Sequence, residues 1–227
     1  SGDGRFVGRD GSAMAPSSTR HLQQIPFMAQ FDEPLLSAIA AQLRRLTFPA
    51  GFTVFAQHDH CREIYWVWIG HLRVTSYTSL GREIIFHDLY PGDMVGELSA
   101  IDGRPRDGNL VCVADSEIWC LDHQTFHRLA LGHPTFAMAL IERLTGLGRT
   151  LNARIVQLTA PVPTRICNEL LRLAEGRRIN VNAARIVPAP KQLEIASRVN
   201  TNREAVSRTL SDLRRLKILR RGRGEII

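Results

Sequence analysis

The sequence lacks several features that would place it in other classes of protein. No uninterrupted apolar run is longer than six residues, as at Ile64–Ile69, whereas a helix that crosses a bilayer needs about 20. The N-terminal stretch has no apolar segment of the kind that a secretory signal requires, so we expect a cytoplasmic protein without a membrane partner. The four cysteines show no C-x-x-C spacing, which favours reduced thiols over disulfides.

Lysine is also scarce, since 27 of the 29 basic residues are arginine, and the basic residues are unevenly distributed. Residues 165–227 carry 15 basic and 6 acidic residues, a balance of +9, whereas residues 1–164 carry 14 and 16, a balance of −2. The two parts sum to the net charge of +7. This asymmetry indicates a polyanion-binding module attached to a nearly neutral domain.

The N-terminal half of the chain shows the pattern of an antiparallel β-roll. Residues 1–20 are predicted to be a mobile tail, and helical spacing of apolar residues predicts a helix from Glu33 to Leu46. From Phe48 to Asp122, short β-branched and aromatic runs alternate with glycines, which indicates a sandwich or barrel. The predicted strands are residues 53–55, 63–69, 72–77, 83–89, 109–112 and 117–121.

A long helix is predicted from Pro134 to Thr159, after a short helix near residues 124–130. Leucines at positions 140, 144, 147, 151 and 158 follow alternating four- and three-residue steps, with Arg154 where one step should be apolar. The spacing favours dimerisation through this helix, and a helix lying on its own β-roll is the alternative. Gly146 and Gly148 each cost about 1 kcal/mol of helix stability, so the helix is weak in its middle.

The C-terminal segment predicts a helix-turn-helix. Two helical patterns, over residues 191–199 and 202–217, meet at Asn200, a residue type that tolerates the left-handed backbone such a turn needs. One side of the second helix is apolar: Val206, Leu210, Leu213 and Leu216. The opposite side is polar: Arg203, Glu204, Ser207 and Arg208. Arginine pairs with guanine and glutamate accepts from cytosine, so this side predicts readout of double-stranded DNA, and residues 218–227 predict a β-hairpin wing whose arginines contact phosphates.

Over residues 21–227 the sequence resembles the CRP/FNR family of bacterial transcription regulators, and the motif Asn202-Arg-Glu-Ala-Val-Ser-Arg208 carries much of the resemblance. By this match Arg203, Glu204 and Arg208 read bases, and Lys191, Asn202 and Ser207 complete the expected DNA-binding set. The resemblance implies a homodimer on a palindrome with TGTGA-type half-sites about one helical turn apart, with RNA polymerase as a further partner.

The segments Gly92-Asp-Met-Val-Gly-Glu-Leu-Ser99 and Asp102-Gly-Arg-Pro-Arg106 resemble the phosphate-binding cassette of cyclic-nucleotide-binding domains. By this match Arg106 binds the phosphate and Glu97 the ribose, while Gly96 lets the backbone approach closely. The expected effector lies between the β-roll and the dimer helix. Its expected contacts are Gly96, Glu97, Leu98, Arg106, Asp107, Thr150 and Asn152. Cyclic AMP is the first candidate, and cyclic GMP stays open because the Asn152 amide both donates and accepts.

Asp107 departs from the family pattern, which has Ser, Thr or Ala there, and Gly108 stands where Ala is usual. A carboxylate beside a cyclic phosphate is repulsive unless it turns outward or is neutralised. This keeps open a regulator that binds no ligand or another effector, with a Glu97–Arg106 salt bridge closing the loop.

The sequence therefore predicts an α+β fold, with an antiparallel β-roll, a dimerisation helix and a winged helix-turn-helix. The expected boundaries are a tail over residues 1–20, an effector domain over 21–132, a dimer helix over 133–160 and a DNA-binding domain over 161–227. We expect no catalytic residue, metal or tightly bound cofactor. The distant alternative is a cupin-like metalloenzyme built on His58 and His60, and the pair His123 and His127 is a weaker metal candidate.

Overall fold

The computed structural model describes residues 19–222 and 224–227, which form two compact units. Of the described residues, the first unit contains 19–77 together with Phe86–Leu147, and the second contains Thr78–Ile85 and the chain from Gly148 onward. The border along the long helix thus falls between Leu147 and Gly148, beside the two glycines. The expected tail lies, up to residue 18, outside the described residues.

Two four-stranded antiparallel sheets and several helices build the first unit, except that residues 83–85 of strand β5 belong to the second unit. The strands are β1 (Arg44–Phe48), β2 (Thr53–Phe55), β3 (Ile64–Ile69), β4 (Leu72–Tyr77), β5 (Glu83–Leu89), β6 (Met94–Val95), β7 (Asn109–Cys112) and β8 (Ser116–Leu121). The sheet orders are β1-β8-β3-β6 and β2-β7-β4-β5. The helices are α1 (Thr19–Leu22), α2 (Glu33–Ala40), α3 (Glu97–Asp102), α4 (His123–Gly132) and the first half of α5 (Pro134–Thr159).

The apolar run in β3 arises because both of its faces are covered. Ile64 and Trp66 pack with α2, α4 and α5 in one core, and Tyr65 and Val67 pack between the two sheets in another. Successive side chains of a strand point to opposite faces, so a central strand between two cores is apolar at every position. The predicted β-roll is confirmed, and its glycine-rich turns separate the predicted strands.

The predicted helix over 33–46 is wrong in its second half. Helix α2 ends at Ala40, and Arg44–Phe48 is a strand that pairs with β8 from Arg44–Cys120 to Phe48–Ser116. Leu43 and Leu46 fit the helical spacing by coincidence, because a turn at residues 41–43 precedes the strand. Pairing with a distant strand overrides the local pattern here.

Helix α5 has its predicted bounds, but the leucine steps do not form one continuous exposed face. Leu140 is 8% exposed and Leu144 packs on the core of the first unit, whereas Leu151 is 55% exposed. The N-terminal half of the leucine pattern therefore faces its own β-roll, as in the alternative interpretation. Among the helices that the structure describes, none is long and apolar enough to cross a membrane.

The second unit is a helix-turn-helix domain with two small hairpins. After the C-terminal half of α5, its elements are α6 (Val162–Ala174), β9 (Arg178–Asn180), β10 (Ala183–Ala184), α7 (Gln192–Arg198), α8 (Arg203–Arg215), β11 (Arg221–Gly222) and β12 (Glu225–Ile226). The predicted wing is thus a hairpin, although Arg223 lies outside the described residues. Leu216 was predicted on the apolar face but is 64% exposed, because α8 ends one residue before it.

Candidate effector site and nucleic-acid interface

A sharp turn between β6 and α3 brings the backbone of Gly96 close to the guanidinium group of Arg106. Gly96 caps α3 with a left-handed φ of 99°, and a Cβ there would lie 2.7 Å from both Arg106 Nη1 and the Glu63 carbonyl oxygen. Only glycine meets both demands, since other residues avoid this φ and carry a Cβ. The structure thus places Gly96 and Arg106 of the expected effector site together.

Arg106 is 2% exposed and is held by three hydrogen bonds. Its Nε donates to Cys61 Sγ (3.3 Å), its Nη1 to the Gly96 oxygen (3.0 Å) and its Nη2 to the Glu63 oxygen (2.6 Å). The guanidinium also lies 4.2 Å over the Phe55 ring centroid. Because a guanidinium has five N–H groups, two take no part in these bonds, and a guanidinium is the type of donor that suits a cyclic phosphate.

Glu97, the first residue of α3, is 4% exposed and faces a cation that the sequence analysis missed. Its Oε1 lies 3.7 Å from Arg143 Nε, and Arg143 Nη2 donates to the Met94 oxygen (2.8 Å). Burial raises the pKa of Glu97, and Arg143 is the main opposing influence. Among the described residues Glu97 forms no ion pair with Arg106, so the proposed loop-closing bridge is corrected to a Glu97–Arg143 pair.

One signal could have revealed Arg143. It lies on the same face of α5 as the buried residues Phe136, Ala139 and Leu140, at helical spacing. A single cation among buried apolar residues needs a carboxylate or a carbonyl partner. Only the fold shows that Glu97 lies close enough to be that partner.

The two departures from the cassette pattern have different outcomes. Asp107 is exposed, so its carboxylate is turned to solvent. Gly108 is buried, and a Cβ there would lie 2.6 Å from a backbone carbonyl oxygen, which explains why the usual alanine does not fit. Leu98 on α3 is 43% exposed, while Thr150 and Asn152 lie on exposed positions of α5 in the second unit.

Two of the histidines that the sequence suggests as metal ligands contact backbone groups instead. Within the described residues, no group of three or more His, Cys, Asp or Glu side chains could hold a metal ion. His58 has a left-handed φ of 73°, and its N–H donates to the Arg106 oxygen (2.8 Å). A ring nitrogen of His127 lies 2.6 Å from the Ala100 oxygen, which links α4 to α3. These two histidines support the loop and helix next to the cassette.

In the helix-turn-helix, polar residues shape the turn and the start of α8. Asn200 has a φ of 52°, as predicted for the turn. The side chain of Asn202 accepts from the Ala205 N–H (2.9 Å), so this residue caps α8. Lys191 is exposed at the start of α7. The sequence assigned Asn202 to DNA contact, and its cap position also places it at the end of the helix that would enter a groove.

Helix α8 has one buried and one exposed face. Val206 and Leu210 are 0% and 2% exposed in the core of the second unit. Arg203, Glu204 and Arg208 are exposed, and they form no ion pair within the part of the chain that the structure describes. Ser207 beside them is half-buried. The structure therefore presents the predicted reading residues on one surface, with their donors and acceptors available to base edges.

Comparison with known proteins gives a match to each unit. Residues 45–133 match the model of the cyclic nucleotide-binding domain, and residues 164–227 match that of the Crp-like helix-turn-helix domain. A CRP-like cAMP-activated global transcriptional regulator of Mycobacterium tuberculosis is 28% identical over 179 residues, 78% of this chain and 80% of the relative. The cyclic AMP receptor protein of Thermus thermophilus is 26% identical over 191 residues, 81% and 82% of the two chains.

Solved structures share the architecture. The c-di-GMP responsive global regulator CLP of Xanthomonas campestris superposes with a TM-score of 0.76 at 19% identity, over 86% of this chain and 98% of that one. FixK2 of Bradyrhizobium japonicum gives 0.67 at 19% identity, over 82% and 91%. At these identities the likeness shows the fold, and it confirms the predicted order of β-roll, long helix and helix-turn-helix.

Proposed function

Because the chain belongs to the CRP/FNR family of transcription regulators, we propose that a cyclic nucleotide bound at the Gly96–Arg106 cassette controls its binding to DNA. The chain is a DNA-binding regulator and not an enzyme. Arg106 carries the proposal, because it lies against Gly96 with two N–H groups left for a phosphate. Cyclic AMP is the first effector to test, since two relatives are named for it, and cyclic GMP is the second.

The chemistry of the cassette suits a singly charged cyclic phosphate. The remaining N–H groups of Arg106 and the backbone N–H groups at the start of α3 neutralise the phosphate. The Glu97 carboxylate accepts a hydrogen bond from the ribose 2′-hydroxyl. Arg143 favours the ionised form of Glu97 and belongs to α5. A hydrogen bond from the ribose to Glu97 would therefore alter a contact of that helix.

The exposed face of α5 supports a homodimer. Met138, Ile141 and Ile155 are 54%, 55% and 62% exposed. Met138 and Ile141 are three residues apart, and Ile155 follows Ile141 by two heptads, with Gly148 at the heptad position between them. Two copies of the chain would bury this stripe and present two α8 helices to a palindrome of TGTGA-type half-sites. We place this regulator in the cytoplasm, with RNA polymerase as a further partner.

The cassette assignment is tested by isothermal titration of cyclic AMP and cyclic GMP into wild type and Arg106→Gln. We expect affinity to fall roughly 10- to 100-fold, because a hydrogen bond to a charged group contributes about 1.5–3 kcal/mol. Arg104→Gln is the matched control, since the Arg104 side chain is 83% exposed two residues away. Equal affinity in Arg106→Gln and wild type would refute the assignment. A change in the cyclic AMP to cyclic GMP ratio in Asn152→Ala would support the part given to Asn152.

The DNA-reading surface is tested with Arg208→Gln, measured on a TGTGA-type palindrome and on a scrambled duplex. Loss of a bidentate contact to guanine costs about 1–3 kcal/mol, so specific affinity should fall about tenfold or more and non-specific affinity much less. Arg128→Gln removes the same charge from α4 of the first unit and should leave specificity unchanged. A uniform loss on both duplexes would make Arg208 a phosphate contact.

A second candidate is a regulator of the same family that binds DNA without a nucleotide or with another effector. The observation that favours it is that Arg106 already has three internal acceptors and a ring contact, so the cassette is ordered by its own residues. The titration with wild type separates the two candidates, because a regulator of the second kind binds neither cyclic AMP nor cyclic GMP. It still binds the palindrome, either alone or with its own effector.

A further inference from the structure

A cleft of about 250 Å³ in the second unit has a surplus of positive charge. The C-terminal turn of α5, the outer face of α6 and the end of α7 form its walls. Its charged lining is Arg154, Arg165, Arg172, Arg198, Glu169 and Glu175. Four cations face two carboxylates, and neither the cassette residues 96–107 nor the reading face of α8 belongs to this cleft.

The buried carboxylate of the cleft is already shared by two of the arginines. Glu169, 6% exposed, accepts two hydrogen bonds from Arg172 (2.8 and 2.6 Å). The same carboxylate lies 3.6 Å from Arg198, which also pairs with Glu194 (3.0 Å). Within the described residues, the short contacts of Glu169 are thus with Arg172 and Arg198, and it forms no ion pair with Arg154 or Arg165.

Arg154 and Arg165 form no ion pair with any residue that the structure describes. Arg154 Nη2 donates to the carbonyl oxygens of Ile85 and Arg198, and Arg165 Nη1 donates to the Leu158 oxygen (3.4 Å). The buried Nε of Arg165 has no acceptor. Arg154 uses two of its five N–H groups and Arg165 uses one, so most donors of these two arginines form no hydrogen bond among the described residues, and Glu175 is the other carboxylate of the cleft.

The arginines of the cleft repel one another, and a bound anion would reduce this repulsion. Burial lowers the pKa of Arg154 in spite of Glu169, and Arg172 and Arg198 lower it further. The planar guanidinium group pairs well with phosphate and carboxylate groups, whose oxygens accept two hydrogen bonds from it at once. A space of 250 Å³ equals about eight water molecules, which suits a phosphate group or a small polycarboxylate and is below the size of a drug-like ligand.

We propose that this cleft is a second effector site, which binds a small multiply charged oxyanion between Arg154 and Arg165. The two sources of that chemistry are a phosphate-bearing molecule and a polycarboxylate. Arg154 also donates to the carbonyl at the C-terminal end of α7, the first helix of the helix-turn-helix. A bound anion therefore strengthens the packing of α5 and α6 against the helix that precedes the DNA-reading helix.

The test is binding of inorganic phosphate and of citrate to the full-length protein, by equilibrium dialysis and by thermal unfolding at constant ionic strength set with chloride. We expect one bound ion per chain and a rise in Tm of at least about 5 °C at 100-fold excess over Kd. A stronger response to phosphate identifies a phosphate-bearing effector, and a stronger response to citrate identifies a polycarboxylate. An equal response to chloride would overturn the proposal, because it is ionic screening.

Two variants locate the ion. Arg165→Gln, at a half-buried position, should lower the affinity for the anion at least tenfold, and its circular dichroism without ligand shows whether the fold is kept. Arg208→Gln tests the rival location on the DNA-reading face and should bind the anion as wild type does. If Arg208→Gln loses the anion and a folded Arg165→Gln retains it, the proposal is wrong. Neither outcome depends on nucleotide binding at the cassette.

Discussion

At the scale of single residues, a few buried charges build the cassette. Arg106 and Glu97 were assigned by resemblance, and the structure buries both at the turn around Gly96. Arg143 was missed because its role depends on the distance between α5 and α3, which no local pattern encodes. The same reason explains Gly108, whose lack of a side chain makes sense only against a strand that is distant in sequence.

Glu97 gives a pH-dependent prediction. Its pKa is raised above the ordinary value of 4.5 by burial, so between the two values the folded state binds more protons than the unfolded state. The free energy of unfolding of wild type should therefore contain a contribution that falls as pH rises through this window. Glu97→Gln lacks that contribution, so the difference in unfolding free energy, variant minus wild type, should increase with pH above 4.5.

Urea unfolding of the nucleotide-free protein from about pH 4 to about pH 8 measures this difference. Glu142→Gln is the control, because Glu142 is an exposed neighbour of Arg143 on α5. If the unfolding free energies of Glu97→Gln and wild type stay parallel across this range, Glu97 is not a buried acid in solution. Glu97→Gln should also weaken nucleotide binding, because an amide is a poorer acceptor for the ribose hydroxyl than a carboxylate.

At the scale of elements, local patterns predicted the helices and strands well where the residues that face the core follow the spacing of that helix or strand. The bounds of α5, the six predicted strands and the turn at Asn200 follow from spacing, from glycines and from backbone preference. Two strands of the first unit were not predicted. Strand β1 was read as helix because its apolar positions continue a helical stripe, and β6 has only two residues, too few for an alternation.

The glycines of α5 give a prediction at this scale. A Cβ at Gly146 would meet no atom within 4 Å, and Gly146 lies off the seam of Met138, Ile141 and Ile155. Gly146→Ala should stabilise the protein by about 1 kcal/mol, or about 2–4 °C in Tm. A stiffer helix needs less ordering by ligand, so the effect of nucleotide on DNA affinity should shrink. Gly132→Ala, at the end of α4, is the control and should change Tm less. An unchanged or lower Tm in Gly146→Ala would show that this glycine is not a weak point.

At the scale of the whole molecule, charge distribution and element order revealed the modular design. The excess of basic residues lies in the unit that carries the helix-turn-helix, and the cassette lies in the unit whose acidic residues slightly outnumber its basic ones. The border between the compact units lies within α5 at Leu147 and Gly148, and the domain bounds of 133–160 and 161–227 stay a prediction from the sequence. The C-terminal half of α5 belongs to the second unit.

The dimer is tested at this scale with Ile155→Glu. If Ile155 lies in a helix–helix seam, a buried charge there should raise the dimer dissociation constant about 100-fold or more while each chain stays folded. Light scattering coupled to size-exclusion chromatography measures the mass. Leu131→Glu on α4 is the control, because Leu131 is 87% exposed and lies outside the seam. A dimer of unchanged strength in Ile155→Glu would move the interface away from this face.

The central claim, a DNA-binding regulator gated by a cyclic nucleotide, is tested most directly by fluorescence anisotropy. A labelled TGTGA-type palindrome and a scrambled duplex are titrated with protein alone, with cyclic AMP and with cyclic GMP, at one stated salt concentration. The account predicts that one nucleotide tightens binding to the palindrome about tenfold or more, a coupling of about 1.4 kcal/mol, with little effect on the scrambled duplex. Equal affinity for the palindrome with and without either nucleotide would contradict it.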